Sequence, residues 1–464
     1  MLLAAVSLAV FLPRLGDLTG SAGAQTAAPP GSRPNVMVVL MDDMRGGEDS
    51  MVAMPNVIRW MRQGGTEFPE GYVNTPLCCP ERATIWSGRY MHNHGVVDNH
   101  SGAKLDTAWI LPRYLREAGY TTALAGKFIT DWQASDDPPQ FDRWALFRGG
   151  YFDARFNVDG QTVRAHHSSE FVVDQAIEFL GAFEADDGRP WFLQVAPHAP
   201  HESTTGTWDV PAPYDSMVIP AWEPSPAVSE NTTDAKADKP KWIRSRQQPM
   251  EKSRTKHDGA MRTLLHFDAE FDRLMRALEA NGELDGTLVI FTSDNGYSWG
   301  ERGMTSKGVP YTESVKVPFF VRWPRIFAAG AVDYRPVSGV DIMPTIFDAT
   351  GISPPNLRYP LDGRSFLPAR PGRAEILLEW HYGHLGIPTW ASMRTPEWQY
   401  IEWFDDDGST RTFREYYNLI DDPWQLENLL ADTDPSNDPD VATLSARLAE
   451  ARRCAGSGPP GGCP

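Results

Sequence analysis

Four short apolar runs in this chain each end on polar residues capable of chemistry, and no other feature constrains the fold so strongly. NVMVVLMDD closes on Asp42 and Asp43, TTALAGKF reaches Lys127, PWFLQVAPHAPH delivers His198, and TLVIFTSDNG delivers Asp294 and Asn295. Strands buried on both faces read as continuous apolar runs, whereas half-exposed strands alternate, so the pattern predicts a central, mostly parallel sheet. Helical patterns separate the runs: Leu111 to Ala118, Phe171 to Phe183, and a face made of Leu264, Phe267, Phe271, Leu274 and Leu278 with Gly282 as its stop. The alternation is that of an α/β fold with helices on both faces of the sheet, in which ligands bind outside the carboxyl ends of the strands. Every polar residue named at the end of a run falls there.

With 464 residues, 41% of them hydrophobic, the chain is long enough for two or three domains or one large domain with an appendage. Its 43 basic and 61 acidic residues leave a net charge of -18, which argues against nucleic acid or an anionic membrane as the main partner. The start, MLLAAVSLAVFL followed by small residues to Ala24, has the pattern of a secretory signal, so export is expected. No Lys or Arg precedes the apolar run, which leaves a membrane anchor as the other reading, although the run is too short to span a bilayer comfortably. The mature protein is then expected to be soluble and either periplasmic or extracellular.

From about Glu202 to Lys256 the sequence is rich in Pro, Ser, Thr, Asp and Lys and reads as a long surface excursion, a substrate-facing lid or a plain insertion. After DGRSFLP the character shifts to segments such as ILLEWHYG and WQYIEWF. A helix follows near Asp438, with Asp438 as N-cap and Pro439 at the first helical position. A smaller antiparallel sheet with a terminal helix is therefore expected beside the main domain.

The strand-end pairs Asp42-Asp43 and Asp294-Asn295 are hard oxygen ligands of the kind that suits Ca²⁺ or Mg²⁺. Either pair alone is more often a helix cap or a turn; both together, after two buried strands, favour a metal. Lys127, His198, Lys307 and Arg82 are each commonplace singly, but gathered around a divalent cation they would hold a tetrahedral anion and counter charge on its leaving oxygen. Cys454 and Cys463 flank AGSGPPGG and most economically close a small disulfide loop. Cys78 and Cys79 remain, side by side, and neighbouring cysteines rarely bond each other.

The run Cys78-Cys79-Pro80-Glu81-Arg82, followed by Ser87-Gly88-Arg89, resembles the C-x-P-x-R signature of the type I sulfatases within the alkaline phosphatase superfamily. RPNVMVVLMDD, GYTTALAGKF, APHAPH, TSDNG, SKGVPYTESVKVP, VDIMPTIFDATGI, LDGRSFLP and EYYNLIDDPWQLENL appear in that family's order, so the resemblance covers Arg33 to about Leu430. With the signal pattern over 1–24, it gives a sulfatase catalytic domain over 33–367, a C-terminal subdomain over 368–450 and a tail over 451–464. It also implies that a separate maturation enzyme oxidises Cys78 to formylglycine, with Cys79 a small buried side chain at the variable position. Glu81 stands where the family often has Ser, Ala or Thr. An aldehyde suits the task because a serine sulfate would be stable, whereas the hydrate has two hydroxyls. One accepts the sulfuryl group; the other loses a proton and expels sulfate by C–O cleavage.

By the same resemblance, Asp42, Asp43, Asp294 and Asn295 bind one Ca²⁺ in preference to Mg²⁺, with an oxygen of the modified Cys78 and the sulfate completing the shell. Asp294 would accept the proton, Arg82 and Lys127 would steady the modified side chain and sulfate, and His198 and Lys307 would face the leaving oxygen. Many sulfatases carry a histidine two residues after the position of Lys127, where this chain has Ile129, so another base must act. His94 in HNHGV is one candidate, and a turn residue is its plainer reading.

The CCPERATIWSGRYMHNHGV run is most similar to the N-acetylglucosamine-6-sulfatase branch, which makes a sulfated sugar the leading substrate, with a short oligosaccharide or small aryl ester open. Trp132, Trp208, Trp299 and Trp380 would suit stacking on sugar rings, although tryptophan in a core is commoner. Two other functions fit the same residues: a phosphonate monoester or phosphodiester hydrolase of the superfamily, and a protein that binds sulfated glycans without turnover.

Overall fold

The computed structural model describes residues 33–133, 135–185, 188–203, 205–353, 357–381, 385–456 and 463–464, and the expected signal segment 1–24 lies outside them. Among the described residues, ten strands form one sheet. Its centre is five parallel strands in the spatial order Thr287–Ser293, Asn35–Met41, Trp191–Ala196, Thr121–Gly126 and Arg143–Arg148. Antiparallel strands extend it at both sides: Phe320–Arg322 next to the first, and the hairpin Phe152–Val158 and Gln161–His167 beyond the last.

The strand Asn35–Met41 shows why such runs are apolar throughout. Met37, Val39 and Met41 enter a core shared with the helices Ser168–Glu184 and Met250–Ala280, while Val36, Val38 and Leu40 enter a second core with Trp86, Leu115 and Ile346. Successive side chains point to opposite faces, and both faces are covered. A second, antiparallel sheet is built from Ile376–Trp380, Trp390–Arg394, Trp398–Phe404 and Arg411–Asn418. Trp380, Trp390 and Trp403 are buried there in a core that also holds Leu77, immediately before Cys78.

Two sequence expectations need correction. The helix expected around Leu264 begins at Met250, so the excursion from Glu202 ends sooner than its composition implied. The excursion is mainly surface, as expected, though it also buries Lys236 and Lys239, their ammonium groups donating to the carbonyls of Arg302 at 3.0 Å and Leu426 at 2.7 Å. Buried polar groups are tolerated when so partnered. The terminal helix spans Val441–Ala451, and its N-cap is Asp440, whose carboxylate accepts from the Thr443 amide at 3.1 Å.

A disulfide joins Cys454 and Cys463. His92 ties that loop to the second sheet, its Nδ1 lying 2.8 Å from Glu379 Oε2 and its Nε2 3.0 Å from the Cys454 carbonyl. Burial opposes the charged ring, but the Glu379 carboxylate outweighs it and raises the histidine from 6.5 to about 9. A pKa raised by folding contributes stability that is whole below the unfolded value and is lost as pH rises through the folded one. His92→Gln is therefore expected to lower stability by up to roughly 3 kcal/mol near pH 6, judged from about 1.4 kcal/mol per pKa unit. Denaturant unfolding across pH should show the gap to the parent protein closing above about pH 9.

Candidate active site

Four neighbouring parallel strands deliver their polar ends to one place, and a fully buried helix brings the cysteine to meet them. Asp42 and Asp43 follow Met41, Lys127 follows Gly126, His198 follows Ala196 by two residues, and Asp294 and Asn295 follow Ser293. The Lys127 turn demands glycine before it: Gly126 has φ +110°, and a Cβ there would fall 2.0 Å from the Ala196 carbonyl oxygen. Asp43 also takes a left-handed φ of 73°, held by its amide donating to Asp294 Oδ1 at 3.3 Å. Such strain persists only where surrounding contacts over-determine it.

The helix Cys78–Ser87 has all ten residues buried. Pro80 is tolerated in its first turn because the amide it lacks would have no helical partner there. Cys79 amide donates to Asn99 Oδ1 at 3.0 Å and its side chain is buried, so it packs rather than reacts. The Glu81 carboxylate turns back to accept the amides of Asn74 and Thr75 at 2.9 and 3.0 Å, and burial pushes it up to about 8. Its space is made by Gly339, where a Cβ would lie 1.9 Å from Glu81 Oε1.

All nine residues singled out in the sequence form one connected cluster. Cys78 Sγ is 3.5 Å from Asp42 Oδ1 and 2.9 Å from Lys307 Nζ. Lys127 Nζ donates to Asp42 Oδ2 at 2.7 Å, and Lys307 Nζ donates to Asp43 Oδ1. Arg82 Nε meets Asp294 Oδ2 at 2.7 Å, and its Nη1 donates to the Lys127 carbonyl at 2.8 Å. Asn295 Nδ2 donates to Asp43 Oδ1 at 2.6 Å. His198 Nδ1 lies 3.5 Å from Asp42 Oδ2, with its ring against Phe147 and Tyr151.

Charge in this buried place is closely balanced. Burial disfavours ionising Asp42, but Lys127, His201, His198 and Arg82 together hold its carboxyl well below the usual range. Burial and the neighbouring Asp42 raise Asp294. Lys307, though buried, is held well above its ordinary value by Asp43 and its neighbours, so it is an ammonium. Burial lowers His198 to about 4 and leaves it neutral. The Cys78 thiol is pushed by burial up to about 12, which makes an unmodified thiolate nucleophile expensive here.

The donor set fits a hard divalent cation. Three buried carboxylates converge with Asn295, whose Oδ1 is buried without a hydrogen-bond partner, and oxygen ligands of this type suit Ca²⁺ or Mg²⁺.

One site residue escaped the sequence reading. His201, the second histidine of APHAPH, places Nε2 3.5 Å from Asp43 Oδ2, and one of its ring nitrogens is within 4.8 Å of ligand atoms of Asp42, Asp43 and Cys78. Its spacing of three from His198 was the available signal. His94, by contrast, is not at the reacting centre. Its Nδ1 accepts from the Val96 amide at 3.1 Å and its Nε2 meets Thr84 Oγ1 at 3.0 Å, so both nitrogens serve to pin the helix. A cavity of about 390 Å³ opens on Cys78, Lys127, His198 and His201, walled by Ile129, Asp131 and Trp132. Trp299 and Trp380 are core residues, and Trp208 packs over Gly259; of the four tryptophans proposed to stack on sugar, Trp132 alone lines this cavity.

Comparison with known proteins gives the family. The sulfatase family model matches residues 34–352, and the C-terminal model of N-sulphoglucosamine sulphohydrolase matches residues 300–453. The chain therefore belongs to the sulfatase family, whose class of reaction is the hydrolysis of sulfuric esters.

Within that family it is 29% identical to N-acetylglucosamine-6-sulfatase of Capra hircus, with 94% of this chain and 86% of that protein covered. It is 28% identical to the Homo sapiens enzyme of the same name, over 97% and 89%. An extracellular sulfatase SULF-1 homolog of Drosophila melanogaster is 30% identical over 72% of this chain, which spans 31% of that longer protein. Among solved structures, one in complex with its substrate D-glucosamine-2-N,6-O-disulfate has a TM-score of 0.74 at 22% identity, covering 90% and 97% of the two chains. The phosphonate monoester hydrolase of Agrobacterium radiobacter has a TM-score of 0.71 at 24% identity, covering 90% and 94%. These two likenesses are of fold.

Proposed function

We propose that this protein hydrolyses sulfate esters on a carbohydrate such as N-acetylglucosamine 6-sulfate, through Cys78 converted to formylglycine. The observation that carries the reading is the convergence on Cys78 Sγ of buried carboxylates and two lysines, in a chain similar to N-acetylglucosamine-6-sulfatases over most of their length. Asp42, Asp43, Asp294 and Asn295 would hold one Ca²⁺, which would supply the positive charge that lowers a hydroxyl pKa and orients sulfate. The aldehyde hydrate would supply one hydroxyl to take the sulfuryl group and a second to release it.

The chain's own residues do the rest. Arg82, anchored on Asp294 and the Lys127 carbonyl, fixes the geometry of the helix start. Lys127 places positive charge beside residue 78, where a sulfate would sit. Lys307 is the protonated partner for the leaving oxygen, since His198 is neutral and can only help to position it. His201 takes the place of the base that Ile129 cannot be, receiving the proton of the collapsing hydrate. His201→Ala is expected to lower kcat about 10²-fold or more while leaving the first, product-releasing step intact. Rapid-mix kinetics should then show a burst followed by a slow steady state.

The protein is read as exported, secreted or periplasmic, and dependent on a maturation enzyme. The test is to assay matured, calcium-loaded protein on N-acetylglucosamine 6-sulfate, an aryl sulfate and an aryl phosphonate monoester. Release of sulfate from the sugar is the expected result. Preference for the phosphonate supports a phosphonate hydrolase instead, and sugar binding without turnover supports a glycan-binding protein.

A further inference from the structure

Behind the wall that carries His198 and His201 lies a second cluster that the reaction does not use. The strand Gln161–His167 runs directly into the helix Ser168–Glu184, so that His167 ends one and Glu170 sits in the first turn of the other. His266 comes to them from the middle of Met250–Ala280. One ring nitrogen from each histidine and a carboxylate oxygen of Glu170 lie within 4.8 Å of one another. The histidines are 1% and 2% exposed, with ring centroids 4.6 Å apart.

The hydrogen bonds fix which nitrogens are available. His167 Nε2 lies 3.1 Å from the Asp209 carbonyl, which can only accept, so Nε2 carries the proton and Nδ1 is a bare lone pair. That Nδ1 is buried with no hydrogen-bond partner. His266 Nε2 is 3.5 Å from Glu170 Oε1, and its Nδ1 too is buried with none. Two buried, unpartnered ring nitrogens in a cluster that also holds one carboxylate are costly unless something satisfies them.

We propose that His167, His266 and Glu170 form a zinc site, its fourth position taken by a water, separate from the calcium-type oxygen cluster. Two imidazoles and one carboxylate suit Zn²⁺, and hard Ca²⁺ prefers the all-oxygen set. The backbone carbonyl that holds His167 Nε2–H is the kind of outer partner that orients a metal-bound histidine. The ion would brace three elements at the rear of the active-site wall. Tyr151 bridges the two places, stacked on His167 at 5.6 Å, 5.0 Å from the His198 ring, and donating from its hydroxyl to the His201 carbonyl at 2.7 Å.

The test uses the full chain in millimolar calcium, with zinc removed by a zinc-selective chelator and then titrated back, and with cobalt as a spectroscopic stand-in. The expected result is one zinc per chain at micromolar free zinc, a rise in Tm on binding, and visible cobalt bands of tetrahedral intensity. Glu170→Gln alters a partly exposed side chain, so it should keep the fold, shown by unchanged near-ultraviolet circular dichroism, yet weaken zinc binding about tenfold or more. His266→Gln should abolish it. Cys78→Ala separates the two clusters and should bind zinc as the parent does. Absence of zinc uptake, or uptake lost in Cys78→Ala and kept in Glu170→Gln, would overturn the proposal.

Discussion

Cys78→Ala is expected to lose sulfate ester turnover by at least roughly 10⁴-fold, the scale on which removal of a covalent nucleophile acts, while the fold survives. The helix start does not depend on the sulfur: the Glu81 amide donates to the Leu77 carbonyl at 3.0 Å, and the Glu81 carboxylate secures the preceding turn. Lys307 keeps its bond to Asp43 when Sγ is gone. Cys78→Ser sharpens the result. Serine offers one hydroxyl where the hydrate offers two, so any sulfuryl group it accepts stays, and product should stop at or below one equivalent per chain. Steady-state and single-turnover assays, with circular dichroism for the fold, check both variants.

Asp294→Ala is expected to lose activity, calcium and stability together. Arg82 and Asp294 are both at 0% side-chain exposure, with Nε and Oδ2 2.7 Å apart. Removing one member of such a pair leaves the other charge buried without its partner and costs about 3–5 kcal/mol. The same substitution removes the acceptor of the Asp43 amide, which holds Asp43 in its left-handed conformation. Asp294→Asn keeps the shape and one acceptor oxygen, so it should be less destabilised yet equally inactive. Denaturant unfolding and calcium content distinguish the two variants: inactivity with full stability and full calcium in Asp294→Ala would contradict the assigned place of this residue.

The legible part of the fold was the part governed by period and burial. Asn35–Met41 and Thr287–Ser293 read as double-faced strands because both faces are covered, and their terminal Asp and Asn residues therefore met at one end of the sheet. Within the largely exposed excursion from Glu202, the burial of Lys236 and Lys239 was not legible, because it rests on carbonyls of Arg302 and Leu426, distant in sequence. Nothing local announces such partners. His201 had one local signal, its spacing of three from His198, but its approach to Asp43 is made in space and not in sequence. The fit of Glu81 likewise depends on Gly339, more than 250 positions away. His94 shows the converse, a residue whose partners Thr84 and Val96 are local and whose structural use was the plainer reading.

The most direct test of the account is the mass of the peptide spanning Cys78, from protein made alongside a formylglycine-generating enzyme. Conversion of the thiol to the aldehyde removes about 18 Da, a change outside the ordinary cysteine oxidation ladder. The predicted result is that this lighter peptide appears and that its fraction tracks specific activity from one preparation to the next. A peptide of unmodified mass in protein that hydrolyses sulfate esters at full rate would contradict it.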